Sequence, residues 1–402
     1  MLSDVNSALR KIVSHAYNEV EYYRQIFDEF EISENSIKSM EDLYYIPLLN
    51  RGRIQKEEGQ FISKRYQKFP GNATLLIKRS FGSTNQPLKV YWDKNDDVRS
   101  RAYLWNLRKI RYGVMPSMRS CSFFGSRYEG NKLADRTNSF IVEEGQHLAF
   151  PIYGLSQSRL REYLEAMVEF DINWLRLHPS VAMLLMETVK RDKLPLPPNL
   201  RFIELSGEML YDDNRKFIQD VFQTSIANLY FTAETNAIAY ECTKNSLHVL
   251  EDNVIVEIIK DGKPVIGELG DIHVTSLTNY AMPFIRFHTG DVGILTESSC
   301  PCGEKAPVLQ LLRGRPCEYV HSLDGQKISG RVLASIVEHT NEFMSRAICQ
   351  YCFTQKDLGT LNVHLKLKPA YVNWRDSIAQ ALLANASEMG LNRTRWNFTF
   401  SE

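Results

Sequence analysis

From Leu75 to Thr232 the chain repeats one theme, a short apolar run followed by a run with apolar residues every three or four positions. LLIKRSFGST reads as a buried strand entering a Gly/Ser/Thr turn, and DVRSRAYLWNLRKIRYGV as the helix after it. SRLREYLEAMVEFDINWLRL is a helix followed by an apolar strand, and PSVAMLLMETVKRDKL is another helix. LRFIELSGEML is a strand ending in a polar Gly turn, DDNRKFIQDVF a helix, and SIANLYFTAET a strand and loop. Strands joined through helices pair in parallel, with the helices lying on the faces of the sheet. The expected class is therefore α/β, a large domain of parallel sheet covered by helices.

The texture changes on both sides of this region. After Ala239, HVLEDNVIVEIIKDGKPVIGELGDIHVTSL alternates over short runs, with an Asp-Gly turn between two of them. That predicts a distorted antiparallel, β-barrel-like subdomain. Residues 1–70 form a helical lead-in, in which YYRQIFDEF has helical spacing and LYYIPLLNRGRI sets a proline between two short elements. LLRGRP is a Gly-interrupted connector. The reading is a large N-terminal domain over 1–312, a hinge at 313–316 and a small mobile α+β C-terminal lid over 317–402. There is no internal repeat and no low-complexity segment.

Charge and cysteine content narrow the function classes. Lys plus Arg and Asp plus Glu both number 48 among 402 residues, so no whole-chain field draws nucleic acid or an acidic membrane. The basic residues Arg101, Arg108, Lys109 and Arg111 alternate with Tyr103, Trp105 and Tyr112, and read as the solvated face of an amphipathic helix. No apolar stretch approaches the roughly 20 residues that span a bilayer. The start, MLSDVNSALRKIV, lacks a charged leader followed by an apolar run. Seven cysteines in so long a chain make no disulfide framework. A reducing, cytoplasmic setting is expected, where clustered cysteines serve more often as metal ligands than as bridges.

Taken singly, the candidate motifs are weak. RSFGSTNQP, residues 79–87, could surround phosphate oxygens with backbone N–H groups and hydroxyls, or could be an ordinary polar turn. It is not a Walker loop, since no Gly-Lys-Ser/Thr follows. IRFHTGDVG, residues 285–293, would set the Asp291 carboxylate at a strand end, where it could accept hydrogen bonds from ribose hydroxyls or merely cap a turn. LLRGRPCEY, residues 311–319, places an Arg beside Gly at a domain connector. Cys242 and His248 form one close pair, and Cys300 and Cys302 in SSCPCGE form another. Three thiolates and an imidazole suit tetrahedral zinc, although the spacing alone leaves zinc and plain thiols both open. Cys349 and Cys352 have no second pair nearby and read as thiols packed in the core of a strand.

In order and spacing, these stretches together resemble the adenylate-forming (AMP-binding) superfamily, in the branch of phenylacetate–CoA ligases and CapK-like capsule-biosynthesis relatives. The likeness runs over nearly the whole chain. RSFGSTNQP sits at the phosphate loop, SGE at 206–208 at the adenine-side loop, and YFTAETNAIAYEC at the Tyr-Gly-x-x-Glu pattern with its trailing Glu-Cys. GELGDIHVTSLTNYAMPFIRFHTGDVG is the closest match, and GRPCEYVHSLDGQKIS resembles the hinge and the start of the lid.

This resemblance implies roles. Ser80, Ser83 and Thr84, with Gly82 between them, would hold the triphosphate. Gly207 and Glu208 would border the adenine. Tyr230 would stack on it, flanked by Phe231 and Thr232. Glu234 would bind Mg²⁺, and Asp291 would grip the ribose with help from Arg315. Phe123, Phe124, Gly125 and Tyr128, in SFFGSRYEGN, fall where the branch lines its acyl pocket and would suit a small aromatic acid, though aromatics in one segment also pack on one another. The same branch carries the Glu-Cys and Cys-Pro-Cys-Gly elements, which favours a structural zinc on Cys242, His248, Cys300 and Cys302.

The implied activity is ATP-dependent conversion of a carboxylic acid to an acyl-adenylate, then transfer to CoA or to an amine in a biosynthetic pathway. A nucleotide-binding pseudoenzyme of the same fold, and adenylation of an N–O acid, are the alternatives. A homodimer is compatible with the resemblance. Three departures stand out. Phe81 removes a hydroxyl from the phosphate loop, where Asn85 also replaces a Gly. Phe231 replaces the Gly after Tyr230. The family's closing Gly-Lys has no counterpart in RWNFTFSE: either adenylation runs without that cation, or Arg393 or Arg395 substitutes, or the chemistry has changed.

Overall fold

The computed structural model describes residues 5–67, 74–80, 88–124, 142–152, 155–297, 299–313, 319–325 and 327–401. The chain divides into two compact units, Met1–Pro116 with Ala227–Pro316, and Ser117–Ile226 with Cys317–Glu402.

The first unit is built on antiparallel sheet. Its strands lie in the order Lys263–Val265, Val254–Lys260, Gly270–Ser276, Phe287–Thr296, Val308–Arg313, Leu247–Val249, Asn236–Glu241 and Ser225–Thr232. The expected Asp-Gly turn is there. Lys260 pairs with Lys263, and Asp261 and Gly262 between them have φ of 51° and 78°. Two consecutive positive φ values are what a tight two-residue hairpin requires. The helical lead-in supplies Leu9, Ile12, Tyr23 and Phe27 to one apolar cluster that also holds Val254, Ile272 and Phe284. The Tyr23 hydroxyl donates to Pro283 O (2.9 Å) and accepts from Ile285 N (3.0 Å), so its one polar atom is satisfied inside that cluster.

Leu75–Arg79, expected as a buried strand, is half exposed and, among the described residues, pairs only with Lys89–Asp93. A two-stranded ribbon has no covered second face, and Ile77 is accordingly exposed. The helix Lys94–Tyr112 follows. Asp93 Oδ1 accepts from Asn95 N at its start, and Gly113 ends it with φ of 66°. Its basic residues depart from a uniformly solvated face, because Arg108 is buried and stacks 4.5 Å from the Trp105 ring.

The second unit contains the parallel sheet. Phe202–Ser206, Trp174–Leu177, Ser120–Phe124 and His147–Pro151 are parallel neighbours, with Val142–Glu144 antiparallel at the edge. The helices Gln157–Glu169, Pro179–Asp192 and Asp212–Phe222 follow the predicted strand–helix order. The C-terminal residues add the helices Gly330–Phe343 and Arg375–Glu388 and a three-stranded sheet ordered Ile348–Thr354, Thr360–Leu367, Arg395–Ser401. A single apolar cluster joins Phe150, Tyr163 and Leu185 to Ile336, Val337 and Leu382.

Cys349 and Cys352 are exposed, contrary to the expectation of buried packing. They lie on an edge strand whose register against Thr360–Leu367 shifts between Ile348 and Gln350, at Cys349. No helix among the described residues is long and apolar enough to cross a membrane.

Candidate functional site

Several residues expected at a nucleotide converge within the first unit. The Tyr230 hydroxyl donates to Asp291 Oδ2 at 2.7 Å. Asp291 is held by its own segment. Gly290 takes φ of 88°, Asp291 N donates to Thr289 Oγ1 (3.2 Å), and that hydroxyl donates to Ile272 O (3.0 Å). Positive φ at position 290 is the conformation glycine adopts without a Cβ clash, which accounts for Gly in Thr-Gly-Asp.

Glu234 sits in the turn between Ser225–Thr232 and Asn236–Glu241, and only 1% of it is exposed. Thr235 N donates to Thr232 Oγ1 (3.3 Å), and the two threonine hydroxyls lie 3.0 Å apart. Asn236 has φ of 61°, and its amide reaches Asp97 and Ser100 on the Lys94–Tyr112 helix. Lys78 Nζ donates to Asp97 and to Asn236 Oδ1 (2.6 Å), lying 4.8 Å over the Trp92 ring. Trp92 Nε1 donates in turn to Ala233 O (2.9 Å). Both sides of the Glu234 turn are thus fastened by the ribbon and helix that precede it in the chain. Burial alone would raise the Asp97 carboxyl, but the adjacent Lys78 and Arg101 outweigh it and hold the pKa below the usual value.

Ser80 is buried at the end of the ribbon, with its hydroxyl accepting from Leu88 N (3.1 Å). It also accepts from Arg51, to which sequence reasoning gave no role. Arg51 donates to Ser80 Oγ at 2.6 Å, and another of its nitrogens stands 3.8 Å from Glu234 Oε1. Phe231 is half-buried and Thr232 buried on the same strand as Tyr230. Gly82, Ser83, Thr84, Gly125, Tyr128 and Arg315 lie outside the described residues.

Gly207 and Glu208 belong to the second unit. Gly207 leaves the Phe202–Ser206 strand with φ of 81°. Glu208 accepts from Ser180 N (3.0 Å), the Ser180 hydroxyl (2.9 Å) and the Ser329 hydroxyl (2.9 Å). Phe123 is buried in that unit's core, edge-on to Phe150 at 5.2 Å and to Tyr163 at 5.9 Å. Phe124 closes the Ser120–Phe124 strand, and its side chain lies outside the description. Arg393 pairs with Asp324 at 3.0 Å, and Arg395 opens the last strand.

A second cluster lies in the first unit. One ligand atom each from Cys242, His248, Cys300 and Cys302 falls within 4.8 Å of the others. Cys242 Sγ is 3.7 Å from Cys300 Sγ, and Cys302 Sγ is 3.3 Å from His248 Nε2. Tetrahedral bonds of about 2.3 Å to sulfur imply S–S edges of about 3.8 Å, which the Cys242–Cys300 separation matches. His248 Nδ1 lies 2.9 Å from Ala306 O, and because a carbonyl can only accept, that nitrogen bears the proton and Nε2 keeps its lone pair facing the thiols. Lys244 N and Glu304 N each donate to a sulfur at 3.4 Å. Hydrogen bonding from Ser246 draws Cys300 down to about 6, whereas burial pushes Cys302 up to about 11. Arg111 braces the site from the Lys94–Tyr112 helix, donating to Tyr240 O and Glu241 O and pairing with Glu304.

Comparison with known proteins bears on the fold. No family model matches the chain. It is 24% identical over 305 residues to the phenylacetate-coenzyme A ligase of Thermus thermophilus, covering 73% of this chain and 66% of that one. It is 24% identical over 300 residues to the Escherichia coli phenylacetate-coenzyme A ligase, covering 71% and 64%. The chain thus spans a little under two thirds of the length of these curated relatives. Among solved structures, a 2-hydroxyisobutyryl-CoA ligase in complex with 2-HIB-AMP and CoA superposes with a TM-score of 0.67 at 16% identity, covering 98% of this chain and 85% of that one. The same ligase in its postadenylation state gives 0.64. At that identity the structural likeness speaks for the fold. With the related sequences beside it, the chain is similar to the adenylate-forming superfamily, in its phenylacetate–CoA ligase-like branch.

Proposed function

We propose that this protein activates a small carboxylic acid with ATP as an acyl-adenylate and then passes the acyl group to the thiol of CoA. The observation that carries the reading is the bond from Tyr230 to Asp291, with the buried Glu234 carboxylate on the turn that follows Tyr230. Asp291 would accept from the ribose hydroxyls, and the Tyr230 ring, tethered to it, would lie against the base. Ser80 would open the phosphate loop. Glu234 offers a hard oxygen donor that fits Mg²⁺, an ion that supplies charge to offset a polyphosphate.

The Cys242, His248, Cys300 and Cys302 cluster would hold a structural zinc, because the protein fills all four positions of the tetrahedron and leaves none for substrate. Support for a thiol acceptor comes from the relatives, which are named as CoA ligases. An amine acceptor and a biosynthetic role are the finer alternatives.

The test is ATP–pyrophosphate exchange across a panel of carboxylic acids, aromatic ones included, with Glu234→Gln in parallel. Acid-dependent exchange that Glu234→Gln abolishes is the expected result. ATP binding without exchange for any acid would make the protein a nucleotide-binding pseudoenzyme instead.

A further inference from the structure

Arg51 comes from the helical lead-in, yet its guanidinium meets two groups of the proposed nucleotide site. It opens the short Arg51–Lys56 helix, capped by Asn50, whose side chain accepts from Arg53 N at 3.0 Å. Just before it, two backbone bonds fasten the chain to the segment that carries Asp291. Leu49 N donates to Arg286 O (3.0 Å), and His288 N donates to Leu49 O (2.8 Å). The position of Arg51 is therefore fixed from both sides.

The side chain is 19% exposed and Glu234 is 1% exposed. A buried carboxylate needs a compensating charge, and Arg51 supplies one. At 3.8 Å, however, the contact with Glu234 is a charge pair and not a hydrogen bond, whereas Ser80 Oγ accepts at 2.6 Å. Ser80 is the residue immediately before the Phe81-Gly82-Ser83-Thr84 stretch. A planar fork of N–H donors that already spans Ser80 and the Glu234 turn matches the geometry of phosphoryl oxygens, which it can bind in pairs.

We infer that Arg51 is a phosphate-binding residue. Its guanidinium balances Glu234 in the nucleotide-free protein and takes anionic oxygens of the ATP polyphosphate once nucleotide is bound. The inference rests on the nucleotide reading of the preceding subsection and adds a cation that the motifs leave out.

Binding separates the two ideas. The full chain, Arg51→Met and Arg51→Lys are titrated with MgATP by calorimetry and with adenosine by ligand-observed NMR, and melting temperatures are recorded alongside. Expected is a ten- to hundredfold loss of ATP affinity in Arg51→Met, the scale of a lost charge-assisted hydrogen bond, with adenosine binding unchanged. Arg51→Lys keeps the charge without the fork, so it should recover part of the loss, and it carries the test if Arg51→Met does not fold. ATP affinity equal to wild type in either folded variant overturns the inference and leaves the nucleotide reading standing. Equal losses for ATP and adenosine overturn it too, as the mark of a purely structural role. A wild-type chain that binds no ATP removes the nucleotide reading and this inference with it.

Discussion

Tyr230 and Asp291 stand 61 residues apart in the chain, and the phenol of one donates to the carboxylate of the other at 2.7 Å. The bond fixes the Asp291 rotamer from one side, while the Thr289 hydroxyl fixes its backbone from the other. Tyr230→Phe keeps the ring and removes the tether. ATP affinity should fall about three- to tenfold, the scale of one ordinary hydrogen bond of about 1 kcal/mol. 2′-Deoxy-ATP should lose less, because it makes less use of an oriented Asp291. Calorimetric titration of both nucleotides checks this, and identical losses for the two would detach Asp291 from the ribose.

The Lys78–Asp97–Asn236 network fastens the Glu234 turn, and it has a pH signature. Asp97 is 3% exposed and its folded pKa is depressed, so the stability it lends is present above the ordinary carboxylate value and is lost as pH falls below it. Lys78→Met leaves that carboxylate buried with one partner fewer. It should cost on the order of 3 kcal/mol at pH 7, and less at pH 4, where Asp97 in the variant can take up a proton. Denaturant titrations at the two pH values measure the difference. A penalty equal at the two pH values would show that Lys78 contributes through packing on Trp92.

His273 gives the opposite kind of lever. It is buried on the Gly270–Ser276 strand, its ring stacked on His288 at 4.9 Å, with Glu257 across the strand and Asp271 and Arg286 close by. Burial, helped by the neighbouring His288 and Arg286, outweighs the hydrogen bond to Asp271 O and brings its pKa down to about 4. The depressed value means that stability is full above about pH 6.5 and drains away as pH falls toward 4, where the unfolded chain binds a proton that the folded chain refuses. The swing is on the order of 3 kcal/mol. His273→Gln removes the titrating group, so its melting temperature should decline less than that of wild type between pH 6.5 and pH 4.5. Parallel curves for the two proteins would rule this out.

What could be read from the sequence was what local pattern encodes. Strand–helix alternation gave the parallel sheet, because the periods of 2 and 3.6 are properties of short windows. Asp261-Gly262 gave its hairpin because positive φ selects those residue types. Cys242, His248, Cys300 and Cys302 could be grouped because their residue types are few and chemically specific. Arg51 could not be singled out. One arginine among 48 basic residues carries no mark, and its role depends on contacts with positions 80 and 234. The misreading of Cys349 and Cys352 has a related origin. An apolar strand pattern does not say whether the strand lies at the centre of a sheet or at its edge, and here it lies at the edge. Arg111 was misjudged because helical periodicity marks a face without saying what meets it, and this face meets Glu241 and Glu304.

The cluster of Cys242, His248, Cys300 and Cys302 yields the last prediction. Cys242 and His248 flank one turn of the first unit, and Cys300 and Cys302 flank a later loop, so an ion bound to all four would cross-link segments about 50 residues apart, as the separation of Cys302 from His248 shows. Purified protein should carry about one zinc per chain by elemental analysis, as a four-ligand site implies. Cys302→Ser should release it and lower the melting temperature by about 6–12 °C, taking a loss of about 3 kcal/mol in a unit of this size. Cys352→Ala, an exposed thiol outside the cluster, should change neither quantity. Because the Cys242 strand also runs back to the Glu234 turn, the zinc-free variant should bind ATP more weakly at temperatures where it is still folded, and added zinc should not restore it. Purified wild-type protein that melts at the same temperature with and without a strong chelator would show instead that hydrogen bonds and the Arg111–Glu304 pair hold the four residues together unaided.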